Sequence, residues 1–166
     1  MNINKLFGIQ KILRDRINYT EPDRFNKLIL ALLVELGECA NELPEIFKFW
    51  SKGKKNNHEK ALKEYVDGLH FVFELGLELD YIPEHLPGLY HSKPAIQFID
   101  LYYKVSELNF LVSSYGKEER RVTDSYQDIF DTFLHIGRRL GFTWEQIEQA
   151  YVQKNEVNHL RQDNGY

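Results

Sequence analysis

The chain has 166 residues, 43 % of them apolar and 28 % charged, a balance that builds one packed core under a solvated surface and excludes a disordered chain. A formal charge of −4 leaves no general basic field, so nonspecific binding to nucleic acid or to acidic membranes is not expected. Cys39 is the only cysteine, which rules out an internal disulfide or a cysteine-rich zinc site, and its apolar setting reads as a small buried residue in a reducing compartment.

Leu6, Ile9, Leu13 and Ile17 recur at three- and four-residue steps, which predicts an amphipathic first helix. The same N-terminal stretch lacks the continuous apolar region of a signal peptide, and no segment reaches the roughly 18 uninterrupted apolar residues of a membrane span. A soluble, cytoplasmic protein is expected. "TEPDRF" breaks the pattern, with Thr20 or Asp23 able to cap a second helix over about 22–43. Pro44 ends or kinks that helix, "EIFKFW" continues it briefly, and the polar, basic "SKGKKNNHEK" reads as a loop. A third helix is predicted over about 58–79. Residues 80–94 hold three of the five prolines and read as an irregular excursion. Two further helices are expected over about 95–114 and 122–140, the latter closed by Gly141 as a left-handed cap. "TWEQ" has the form of a capping box and opens a last helix that ends before "NHLRQDNGY". Strand-like alternation is weak throughout, so the expected fold is all-α, a single domain over 1–166 built as a bundle of about six helices.

Glu35 and Glu38 on the second helix, and Glu64 and Asp67 on the third, each form an i,i+3 pair on one side of an otherwise half-apolar helix. Two antiparallel helices joined by the intervening loop bring the pairs together. Like charges about 5 to 6 Å apart repel by roughly 3 kcal/mol at an effective dielectric near 20, so such a face needs either water or a cation. Hard oxygen donors without cysteine suit Mg²⁺ or Mn²⁺ better than zinc. The bland alternative is two solvated helix faces. His70, one turn beyond Asp67, either supports the site or is a satisfied core histidine.

The C-terminal stretch gathers Lys154, His159 and Arg161 with Asn155, Asn158 and Gln162, a composition that suits a phosphate-binding flap better than a core helix. A metal cage and a basic, amide-rich tail together suggest an oligophosphate held from two sides. No Walker-type glycine loop is present.

"FGIQKIL", "ELGECANE", "FKFWS", "KEYVDGLHF" and "AYVQKNEVNHLRQDNGY" span both ends of the chain. In them the sequence resembles the all-α dimeric dUTPases of bacteria and their phages, relatives of the MazG-like nucleoside triphosphate pyrophosphohydrolases. The resemblance implies hydrolysis of dUTP to dUMP and pyrophosphate by a homodimer, with dUDP as a related ligand, in a bacterial cytoplasm or that of a phage-infected host. It implies Mg²⁺, with Mn²⁺ as a substitute, on Glu35, Glu38, Glu64 and Asp67, and activation of water by Glu35 or Glu38. It places Lys154, Asn158, Arg161 and Tyr166 around phosphates and sugar, Gln10 and Trp50 at the uracil, and Lys48 and His70 among the substrate-binding residues. "PE" at 44–45 departs from the family pattern before "FKFW", and residues 81–122 match no quotable motif. A relative acting on another deoxynucleotide such as dCTP, a di-iron carboxylate bundle reading Asp67-x-x-His70 and Glu156-x-x-His159 as ligand pairs, and a noncatalytic helical module remain open on the residues alone.

Overall fold

A computed structural model describes residues 2–83 and 93–165. Among them seven helices form: α1 (Ile3–Ile17), α2 (Arg24–Asn41), α3 (Pro44–Phe47), α4 (His58–Glu78), α5 (Pro94–Tyr115), α6 (Arg120–Arg139) and α7 (Trp144–Asp163), and no strand is present in these residues. The all-α expectation holds. The count exceeds six because "PEIF" forms its own turn with Pro44 at its first position, where the missing amide N–H is not needed. Most of the excursion, residues 84–92, lies outside the described residues.

α2 and α4 pack on each other most extensively and run in opposite directions. Asn57 N–H donates to Glu42 O at 2.8 Å, Cys39 Sγ lies 3.4 Å from Ala61 O, and a Cβ on Gly68 would stand 3.6 Å from Glu35 Cβ. These pairings step backward along α4 as they step forward along α2. The same added Cβ would meet the Phe133 ring at 3.2 Å, so the glycine beside Asp67 is what lets α4 lie this close to α6 at that level. α5 pairs with α6, while α1 and α7 pack against α4. Leu32, Leu36, Leu69, Phe73, Phe130, Phe133 and Tyr151 fill the shared interior.

Helix ends follow local chemistry. α6 stops at a Schellman-type cap: Gly141 has φ +87°, its N–H reaches Arg138 O at 3.0 Å, and Phe142 N–H reaches Gly137 O at 3.0 Å. Thr143 and Gln146 complete the capping box of α7. Asp23 sits at the α2 N-cap without capping it, because its carboxylate instead takes the Tyr19 hydroxyl at 2.6 Å and pairs with Lys27 at 2.8 Å. Leu43 is pushed out of the helical region at ψ 57° by the proline that follows, which ends α2.

The largest correction is at the C-terminus. The expected flap is helical to Asp163, since no glycine or proline interrupts the run before Gly165 and Glu, Leu, Arg and Gln propagate a helix well. Arg16 of α1 anchors its last turns, donating to His159 Nδ1 at 3.2 Å and pairing with Asp163.

Candidate active site

Three carboxylates converge between α2 and α4. Glu35, Glu64 and Asp67 each offer an oxygen within 4.8 Å of the others, and all three are half-buried. At that separation each pair of like charges would repel by about 3.5 kcal/mol at an effective dielectric near 20. Burial, then Asp67, Glu38 and Glu64, push Glu35 up to about 7. Burial raises Glu64 and Asp67 as well. Glu38 is exposed and stands outside the trio, yet its charge is felt by all three.

Lys154 of α7 hydrogen-bonds and ion-pairs with Asp67 Oδ2, and Arg161, two turns further on, draws the Asp67 carboxyl the same way. Both cations lower Asp67, but the larger effect of burial leaves it above its ordinary value. Asp67 Oδ1 is buried with no hydrogen-bond partner. An all-oxygen trio with raised carboxyls and an unsatisfied lone pair fits a hard divalent cation, which would replace the missing positive charge without needing a softer donor.

A cavity of about 320 Å³ opens one turn along α4 from Asp67. Gln10, Arg24, His70, Glu74, Asn158 and Arg161 are among the residues that line it. His70 is pushed down to about 3, by burial first and by the charge of Lys154 second, so the ring is neutral at any working pH. Its ring stacks on Tyr151 with centroids 4.0 Å apart. His70 Nδ1 lies 2.7 Å from Gln10 Oε1, which also accepts from the Tyr151 hydroxyl at 2.5 Å. Gln10 Nε2 in turn donates to Glu74 Oε1 at 2.7 Å. Arg14 and Arg24 both reach Glu74 Oε2 at 3.2 Å. His70 Nε2 is buried with no hydrogen-bond partner.

The structure therefore brings the residues singled out in the sequence into two adjoining groups: Glu35, Glu64, Asp67 and Lys154 in one, and Gln10, His70, Asn158 and Arg161 in the other. It does not bring Lys48 or Trp50 to either. Lys48 is turned onto Asn41, the last residue of α2, and Trp50 is 64 % exposed in an edge-on cluster with Phe47 and Phe49. Tyr166 lies outside the described residues. The "PE" turn forms α3, and Phe47, Phe49 and Trp50 at and after its end are exposed. Sequence reasoning missed Tyr151, Glu74, Arg14 and Arg24. Glu74 was within reach, because it continues the stripe of Asp67 and His70 along one side of α4. Arg14 and Arg24 read as ordinary surface charges until the chain folds over them.

A family model described as dUTPase matches residues 2–166. A comparison with curated proteins gives no match.

Proposed function

The chain belongs to the all-α dUTPase family and is a dUTP diphosphatase that uses a divalent metal to yield dUMP and pyrophosphate, and from that premise we propose which residues do the work. The observation that carries the assignment is the convergence of Glu35, Glu64 and Asp67 beside the Gln10–His70 cavity. Mg²⁺, with Mn²⁺ as substitute, would be held by that trio with Glu38 at the exposed rim, and would supply charge neutralisation of the polyphosphate and polarisation of its oxygens. Glu38, the most solvated of the four, would take the proton from the attacking water, with Glu35 as the other carboxylate for that role. Lys154 holds Asp67 in the free enzyme and turns to phosphate when nucleotide arrives. Arg161 adds the planar fork that suits a phosphate better than an ammonium does.

The base sits in the cavity against His70 and Gln10, with Asn158 at its side. Gln10 Oε1 is already used by two partners and one amide hydrogen by Glu74, which leaves the second amide hydrogen to donate to a carbonyl. His70 Nε2 is an acceptor. A donor beside an acceptor matches the C=O and N3–H of uracil and opposes the bare N3 of cytosine. Lys48 and Trp50 would join only through movement of the "FKFWS" segment, and Tyr166 would close on the sugar. Hydrolysis of a panel of deoxynucleoside triphosphates with Mg²⁺ tests the whole reading: dUTP is expected to dominate, and equal turnover of dCTP would overturn the base assignment.

Arg161→Lys is expected to lower kcat/KM for dUTP by roughly 10- to 100-fold, the loss of one charge-assisted bidentate contact of about 1.5–3 kcal/mol. Steady-state kinetics at saturating Mg²⁺ read it. Unchanged efficiency would move Arg161 away from the phosphates.

Residues 1–166 act as one domain and pair as a homodimer. The outer sides of α2 and α5 carry Leu30, Val34, Ile99, Tyr103 and Phe110, each about half or more exposed, a breadth of apolar surface that a monomer seldom leaves to water. Tyr103→Glu with Phe110→Glu should convert the dimer to monomer in sedimentation velocity, and a wild type that sediments as a monomer would overturn the pairing. No described helix is long and apolar enough to cross a membrane. The deoxynucleotide substrate and a lone cysteine, whose thiol burial pushes up to about 12, go with a cytoplasmic place in a bacterium or a phage host, acting on free nucleotide rather than nucleic acid.

A further inference from the structure

The polar chain behind His70 has a direction, and one residue sets it. A neutral imidazole can donate from either nitrogen, a carboxamide can be turned end for end, and a tyrosine hydroxyl can donate or accept. Only a carboxylate is confined to accepting. Glu74 is that group: it is buried, its Oε2 is occupied by Arg14 and Arg24, and its Oε1 faces the Gln10 carboxamide at 2.7 Å.

We propose that Glu74 is a specificity-determining positioning residue that, by forcing the amide end of Gln10 toward itself, forces His70 to present an acceptor and so selects a base with a protonated N3. The steps follow from bonding capacity. Glu74 takes Nε2–H, so Gln10 must turn Oε1 to the other side. There it can only accept, so His70 Nδ1, 2.7 Å away, carries the hydrogen. The remaining nitrogen, Nε2, is left as a bare lone pair, and it is the one that is buried without a partner. The two arginines hold the carboxylate in place. Reversal of the Gln10 amide would put hydrogen on Nε2 and turn the preference toward an unprotonated N3, as in cytosine. Glu74 does not touch the base, since both its oxygens are engaged elsewhere. The inference rests on the reading that the base lies against His70.

The test uses the intact enzyme labelled with ¹⁵N-histidine, His70 being assigned through its loss in His70→Asn. The expected spectrum is that of an imidazole protonated at Nδ1, with Nε2 alone shifted on addition of dUMP and unmoved by dCMP. A wild-type ring protonated at Nε2 would overturn the role of Glu74 while leaving the base-site reading standing. An Nδ1–H ring indifferent to dUMP would overturn the base-site reading and, with it, the specificity role. Glu74→Gln, whose side chain serves either direction, is the second arm. Its dUTP over dCTP ratio of kcat/KM should fall by about tenfold or more, mainly through KM, with both tautomers visible. Mixed tautomers in Glu74→Gln with an unaltered ratio would overturn the proposal, and should that variant fail to fold, the wild-type spectrum decides alone.

Discussion

Glu35→Gln is expected to lower kcat/KM for dUTP by about a thousandfold, equivalent to roughly 4 kcal/mol of transition-state stabilisation, without loss of helicity. The substitution keeps the length and shape of the side chain and removes one of three charges that meet within 4.8 Å. Its effect on stability should have the opposite sign from its effect on rate. In EDTA the three carboxylates oppose one another with burial against them, so the amide relieves repulsion and the melting temperature should hold or rise. A structural glutamate would behave otherwise, losing stability and activity together. Circular dichroism melts in EDTA beside steady-state kinetics in Mg²⁺ separate the two cases, and turnover within tenfold of wild type would take Glu35 out of the site.

Divalent metal and pH should act on the same three groups. A cation present at 100 times its dissociation constant stabilises the folded state by about 2.7 kcal/mol, which for a chain of this length raises the melting temperature by about 5–10 °C. The pH dependence without metal has an unusual sign. Glu35 goes from an ordinary carboxylate value of 4.5 to about 7 on folding, so the folded protein binds its proton more tightly than the unfolded chain. That contribution is complete below the ordinary value and is lost as pH rises through about 7. His70 runs the other way, because its lowered folded value makes stability fall as pH drops below about 6.5, its unfolded value. Over the window from about pH 6.5 to 8 the carboxylate effect outweighs that of His70, whose unfolded imidazole is still half protonated at the lower limit. Between those limits the metal-free melting temperature should fall as pH rises, the slope should flatten in Glu35→Gln, and added Mg²⁺ should reverse it. Identical midpoints in EDTA and in Mg²⁺ would mean that the acids are only solvated.

Helical periodicity was legible because Leu6, Leu13, Ile29, Leu36, Leu69 and Phe73 each sit on the buried side of their helix, and a one-sided apolar stripe needs no tertiary information to be read. The stops were legible where they depend on single residues, as at Gly141 and Thr143. The end of α7 was not. Its last two turns carry few apolar residues, and what holds them is Arg16 from the other end of the chain. Local composition therefore read as a loose flap.

The site divides the same way. The sequence by itself determined the chemistry available: four acids at i,i+3 steps on two half-apolar helices, and Lys154, Asn158 and Arg161 gathered in one basic, amide-rich stretch at the C-terminus. Their types and spacings are properties of the chain, because a helix puts i, i+3 and i+4 together whatever surrounds it. Only the tertiary structure decided which of them meet. The packing of α4 against α2 makes a trio of Glu35, Glu64 and Asp67 with Glu38 left at the rim, while Trp50 is left exposed. The direction of the chain from Glu74 through Gln10 to His70 likewise joins residues about 60 positions apart, and hydrogen-bond polarity across such a distance exists only once α1, α4 and α7 are packed.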